Sequence, residues 1–167
     1  MSRLHLPAIP MIRLSAALPA LPVSAAFVAL FNLAAWRALK DLDWAAIRDK
    51  RFCVHVRDLG LKSHFSVGRG GLRPQFGDHA DVTFTATARD FTRLALRLED
   101  PDTLFFNRRL LIEGNTDLGL TVKNMLDAVE LDSLLAALPA PLAFVLRSLR
   151  QRMADEADDR YLASPAA

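Results

Sequence analysis

Hydrophobic and polar residues alternate in the middle third of the chain. From Arg51 to Asp58, Phe52, Val54 and Val56 fall on one side of an extended strand, and Cys53, His55 and Arg57 on the other. Leu61 to Val67 repeats the pattern, with Phe65 and Val67 set against Lys62, His64 and Ser66. Asp81 to Ala86 repeats it again, with Val82 and Phe84 inward and Thr83 and Thr85 outward. Asp58-Leu59-Gly60-Leu61 predicts the first turn, and Gly68, Gly70 and Gly71 mark the next. Leu72 to Phe76 is then a short strand, and its Pro74 places it at an edge or a strand end. One polar and one apolar face predict an antiparallel meander covered by helices on a single side.

The pattern changes to helical spacing on both flanks. Thr87 with Asp90 opens a helix carrying Phe91, Leu94, Ala95 and Leu98, and Asp100 before Pro101 opens a second that leads to Leu104, Phe105 and Phe106. Arg109 to Glu113 reads as a last strand closed by Gly114. Thr116 opens a helix whose Leu118, Val122, Met125, Leu126 and Val129 share a face. After Pro139 and Pro141 comes a final helix, with Leu142, Val145, Leu146 and Leu149 opposed by Arg147, Arg150 and Arg152. The fold class is therefore α+β: an antiparallel-rich sheet of about five strands with helices on one face.

The amino-terminal run admits three readings. Leu14 to Trp36 holds no charged residue, long enough on paper to span a bilayer, but Pro19, Pro22 and Asn32 interrupt it. A secretory signal with Val23-Ser24-Ala25 as its cleavage site suits the prolines and Arg13 badly. The preferred reading is a Pro-rich lead-in, residues 1–22, followed by one helix from Val23 to about Lys40. Its stripe of Phe27, Leu30, Phe31, Ala34 and Ala38 faces an opposite side, with Val28, Ala35 and Leu39, that is also largely apolar. Such a helix is buried, or covers a cavity or a membrane. One domain follows, residues 23–153, and an acidic flexible tail is expected over 154–167.

Composition narrows the function. The 21 basic and 19 acidic residues are too balanced for a nucleic-acid binder, while the hydrophobic fraction of 51% leaves apolar surface beyond the needs of a core. Before Asp41 the charged residues are Arg3, Arg13, Arg37 and Lys40 alone, which suits reversible binding to an anionic membrane surface. A single cysteine, Cys53, rules out an internal disulfide and favours the cytoplasm. No phosphate loop, nucleophile elbow or placeable carboxylate pair is present, so no catalytic residue is assigned and no cofactor is expected. Cys53, His55 and His64 could hold zinc if the hairpin turns about Leu59 and Gly60. Two surface histidines without metal are the preferred account. The rings of Phe65, Phe76, Phe84, Phe105, Phe106 and Phe144 exceed what one thin sheet-and-helix sandwich requires.

Two stretches carry a family resemblance. Asp81-Val82-Thr83-Phe84-Thr85-Ala86-Thr87 through Asp90-Phe91, and Asp100-Pro101-Asp102-Thr103-Leu104-Phe105-Phe106-Asn107-Arg108-Arg109-Leu110 on to Ile112-Glu113-Gly114 and Asn124, resemble the sterol carrier protein type 2 family. The likeness covers Val23 to Arg152 and points to a bacterial branch serving ubiquinone biosynthesis. It implies helices over an apolar tunnel that binds an isoprenoid quinone precursor or a phospholipid. It also implies the oxygen-independent branch of that synthesis, beside the iron–sulfur hydroxylase partners UbiU and UbiV. The residues assigned to the tunnel are Phe27, Phe31, Phe65, Phe84, Leu94, Leu98, Phe105, Phe106, Leu118, Val122, Met125, Leu126 and Phe144. The alternative is a scaffold whose apolar groove holds a partner or the membrane and no small ligand.

Overall fold

The computed structural model describes residues 20–40, 42–138 and 140–162. Residues 1–19, with Arg3 and Arg13, and the last five residues lie outside them, while residues 20–22 of the expected lead-in already belong to the first helix. Helix α1 (Ala20–Ala34) and a single turn α2 (Trp36–Leu39) precede β1 (Arg51–Val56), β2 (Leu61–Gly68), β3 (Gly71–Pro74) and β4 (Val82–Ala86). Then come α3 (Ala88–Ala95), α4 (Pro101–Phe106), β5 (Leu111–Gly114), α5 (Thr116–Asp127), α6 (Leu131–Ala137) and α7 (Ala140–Leu162). The expected single helix to Lys40 is interrupted at Ala35, and α6 lies in a stretch left unassigned by periodicity. Helix α7 continues through Leu162, well into the segment read as a tail.

The sheet has five strands in the order β3-β2-β1-β4-β5. It is mostly antiparallel, as expected, but not a simple meander. Strand β4 crosses the hairpin and pairs parallel to β1, with Phe52 beside Val82 and Val54 beside Phe84. Asp81 fixes that crossing: its carboxylate accepts from the Arg51 N–H at 2.8 Å, and its own N–H donates to the Arg51 carbonyl at 2.8 Å. The pairing is set by contacts 30 residues apart, so no local pattern announces it.

One face carries Phe52, Val54, Phe65, Val67, Leu72, Val82, Phe84 and Ile112, as the alternation predicts. Phe52, Val67, Leu72 and Val82 there form the main core with Val28, Leu39, Trp44, Ile47 and Leu118. Val28 and Leu39, assigned to the secondary side of the first helix, are thus buried in the core, at 5% and 2% exposure. The second face departs from expectation, because Cys53, His64, Ser66 and Thr85 are all buried. The β3–β4 connection lies against it, where Gln75 Nε2 donates to Ser66 Oγ at 2.7 Å.

Two polar side chains of α1 seat it on the sheet edge. Ser24 Oγ accepts from the His64 N–H at 2.9 Å. The Asn32 amide accepts from the Leu72 N–H and donates to the Leu72 carbonyl, both at 2.9 Å. Asn32 therefore pairs with edge strand β3 as another strand would, and blunts an edge otherwise open to aggregation.

A candidate apolar ligand cleft

The site begins with where the two long covering helices stand. Helix α1 packs on β2 and β3, while α5 packs on β4 and β5. Strand β1 lies between these halves, so the apolar face along β1 is flanked by α1 on one side and α5 on the other. Phe27 and Phe31 project from α1, Phe65 and Phe84 from the strands beside β1, and Val122 and Met125 from α5. All six are half-buried: each packs on the core with one side and keeps access to solvent with the other. A row of rings links wall to floor, with centroids 6.3 Å apart for Phe31 and Phe27, 5.4 Å for Phe27 and Phe65, and 5.8 Å for Phe65 and Phe52.

The α5 wall is placed by local chemistry. Asn115 caps the helix by accepting from the Leu118 N–H at 3.0 Å. Gly119 lets the helix approach the sheet, because a Cβ there would sit 2.3 Å from Ile112 Cγ2. Gly114 at the end of β5 has φ +90°, and a Cβ on it would meet the Asp81 carbonyl at 2.4 Å. At the far end of α5, the Arg97 guanidinium donates to the Val129 carbonyl at 2.8 Å, to the Leu126 carbonyl, and to Asp127 Oδ1 at 2.7 Å. It satisfies carbonyls that a helix end leaves unpaired. Lys123 Nζ meets Asp102 at 2.6 Å and ties the same helix to α4.

A network of four charges, which sequence reasoning did not find, holds the elements after β4. Thr87 caps α3 by accepting from the Asp90 N–H and returns its hydroxyl proton to Asp90 Oδ2 at 2.7 Å. Arg109 bridges Asp90 and Glu99, and Arg93 Nε reaches Glu99 at 2.7 Å. Burial of Asp90 pushes its carboxyl up, but hydrogen bonds from Thr87 and Arg109 outweigh it and hold the group below its ordinary range. Asp90 and Arg109 were visible only as parts of motifs and Glu99 not at all, because the three are spread over 20 positions without a shared local period.

The expected tunnel residues divide into three sets. Leu118 belongs to the main core, and Phe27, Phe31, Phe65, Phe84, Val122 and Met125 pack against it half-buried. Leu94 packs instead on a separate cluster of Ala86, Leu104 and Leu110, while Leu98 and Phe105 are half-buried away from the main core. Phe106, Leu126 and Phe144 are 79%, 40% and 70% exposed, so they lie on the surface. A hollow of about 620 Å³ has Arg97, Asp127, Glu130, Asp132 and Arg150 on its walls; it is polar, and none of the expected tunnel residues lines it.

The hairpin histidines need correction. The register places Cys53 opposite His64 and His55 opposite Lys62, two residues from the pairing expected of a turn about Leu59 and Gly60. His64 is only 4% exposed and is no surface residue. Its burial lowers its pKa, and Nδ1 has no hydrogen-bond partner. Burial likewise pushes the Cys53 thiol up, away from the thiolate a metal requires. Among the described residues no group of three or more His, Cys, Asp or Glu could hold a metal ion. Nor is any helix among them long and apolar enough to cross a membrane.

Comparison with known proteins agrees with this architecture. The chain is 46% identical over 102 residues to the ubiquinone biosynthesis accessory factor UbiT of Escherichia coli strain K12, and equally so to that of strain O157:H7. The match takes in 61% of this chain and 59% of theirs, about three fifths of the length of those relatives. A solved structure described as the UbiJ-SCP2 ubiquinone synthesis protein superimposes with a TM-score of 0.51 over 65% of this chain and 96% of its own, at 20% identity. That likeness concerns the fold. The model of the SCP-2 sterol transfer family matches residues 31–127, the stretch that holds the whole sheet, α5 and the last four residues of α1, and the chain belongs to that family.

Proposed function

We propose that the chain is a non-catalytic accessory factor of ubiquinone biosynthesis that binds an isoprenoid quinone precursor or a phospholipid in the cleft between α1 and α5. The observation that carries this reading is the set of six apolar side chains left half-buried over β1. A polyprenyl tail laid along them leaves water with a gain of about 25 cal/mol per Å² of apolar area. Seating it requires the Phe27 and Phe65 rings to move apart, and each ring then packs against the tail instead of against the other. The identity to UbiT supports the pathway. The oxygen-independent branch, and UbiU and UbiV as the hydroxylases that receive the ligand, belong to the same proposal and rest on the resemblance of Asp100 to Asn124.

Residues 23–153 form the lipid-binding unit in this reading, and the basic amino-terminal segment brings it reversibly to an anionic leaflet. Leu30 and Leu33, exposed on α1 beside exposed Arg37 and Lys40, support that surface role. Phe27 and Phe31 pack partly on the core, and this reading reserves them for the ligand. Native mass spectrometry of gently purified protein is the test. A lipid adduct at one per chain is expected from the parent and is expected to be lost from Phe84→Asp with circular dichroism unchanged. A folded parent that is always empty would favour a scaffold whose groove holds a protein partner.

A further inference from the structure

Every strand position on the apolar face of the sheet carries an apolar residue or glycine except one. Ser63 stands opposite Val54 in the register, between Leu61 and Phe65 along β2, and shares their face. It is 5% exposed, yet its hydroxyl has no hydrogen-bond partner among the described residues. Buried hydroxyls are normally paired, so an exception calls for a reason. Among the described residues the side-chain atom shut off from solvent without a partner is His64 Nδ1, on the other face, so Ser63 Oγ still opens on accessible space. The register extends its row across the sheet, with Ser63, Val54, Phe84 and Ile112 side by side. Val54 and Phe84 are half-buried. With strands about 4.8 Å apart, Ser63 and Phe84 flank Val54 at a span of roughly 10 Å, room for one six-membered ring laid on Val54. Among the strand residues no cation lies on this face, because Arg51, Lys62 and Arg73 alternate to the other one.

We infer that Ser63, Val54 and Phe84 seat the ring of the ligand, and that this ring is uncharged: a prenylated phenol or quinone whose oxygen shares a hydrogen bond with Ser63 Oγ. A hydroxyl both donates and accepts, so it serves a phenol or a carbonyl oxygen alike. A phosphate in the same place would lose its water with no cation to receive it, which sets a phospholipid headgroup aside. The tail gains a direction as well. Phe31 adjoins Asn32, which pairs with Leu72 beside Val67, four residues along β2 from Ser63. Gly119 brings α5 against Val82, the neighbour of Phe52. Both walls therefore lie toward the Phe52 end, and the tail runs that way from the ring. The inference rests on the proposed cleft and chooses between the two ligand classes named for it.

The test offers the full chain 2-farnesylphenol and farnesylbenzene together, the same tail and ring with and without the oxygen. Native mass spectrometry reads the bound ratio. The parent is expected to favour the phenol about three- to tenfold, and Ser63→Ala to hold the two within about twofold. Ser63→Ala is also expected to melt no lower than the parent, since it deletes a hydroxyl that pairs with nothing in the fold. A preference for the phenol that survives Ser63→Ala, whatever its Tm, would overturn the inference. So would dioleoyl phosphatidylglycerol retained with the same dependence on Ser63. Equal binding of the two compounds by the parent would remove the ring seat and leave the cleft standing. A parent that takes up neither compound would sink the cleft and the seat together.

Discussion

Asn32→Leu tests whether the α1 wall of the cleft is held by one amide group. The substitution keeps the size of the side chain and removes both of its hydrogen bonds to Leu72. Leu72 is only 5% exposed, so its N–H and carbonyl are left without partners and with little access to water. Each such group costs ~1–3 kcal/mol, and the added apolar burial returns ~1 kcal/mol, which leaves a net loss of about 3 kcal/mol. In a chain of this length that corresponds to a fall in Tm of about 6–12 °C. Urea and thermal unfolding followed by circular dichroism measure it directly. Asn32→Asp is expected to be at least as damaging, since a carboxylate accepts from the Leu72 N–H but repels the Leu72 carbonyl. Ser24 lies about 12 Å along the same helix, so the cost of Ser24→Ala should add to that of Asn32→Leu within about 0.5 kcal/mol. Asn32→Leu unfolding within about 0.5 kcal/mol of the parent would refute the edge-pairing role.

Other consequences are read with similar measurements. Gly114→Ala should cost about 2–4 kcal/mol in urea unfolding, because it combines a positive φ with a backbone overlap against Asp81. Arg109→Met leaves Asp90 and Glu99 short of a cation and should cost about 2 kcal/mol, below the fully buried range because the guanidinium is partly in solvent. The Asp90 carboxyl is held below its ordinary value of 3.8, so its contribution is present above that pH and lost as pH falls through the folded value. Asp90→Asn should therefore flatten the acid limb of a stability–pH curve, and an unchanged limb would show that the network adds nothing there. Burial holds His64 below its ordinary 6.5, so stability should decline as pH falls from 6.5 toward its folded value. The same curve measured on His64→Leu should lose that slope, and a persisting slope would assign it elsewhere.

Strand positions were legible because a buried face forces a period of two, and Phe52, Val54, Phe65, Val67, Val82 and Phe84 obey it. Helix starts at Thr87 and Asp100 were legible because a cap is local chemistry, and the helix expected from Thr116 does begin there, with Asn115 as its cap. Pairing was not. The hairpin pairs Val56 with Leu61, which centres the turn between Asp58 and Leu59, ahead of the Leu59–Gly60 centre that the glycine suggested, and each histidine gained a different neighbour. The parallel pairing of β1 with β4 depends on Asp81 meeting Arg51, a contact between distant segments that leaves no periodic trace. Residue type named the apolar candidates for the proposed cleft but not their burial, because surface rings such as Phe106 and Phe144 look the same in a sequence.

The central claim is that an apolar chain lies between α1 and α5, and paramagnetic relaxation tests it most directly. An isoprenoid quinone analogue spin-labelled on its tail is titrated into protein labelled with ¹³C at methionine, valine and isoleucine methyls. The Met125 and Val122 methyls, half-buried on the core at the proposed site, should broaden at one equivalent, while Ile47, buried in the core near Trp44, should broaden much less. Broadening of surface methyls such as Val145 with Met125 untouched, or no broadening at all at saturating analogue, would contradict a ligand site in this cleft.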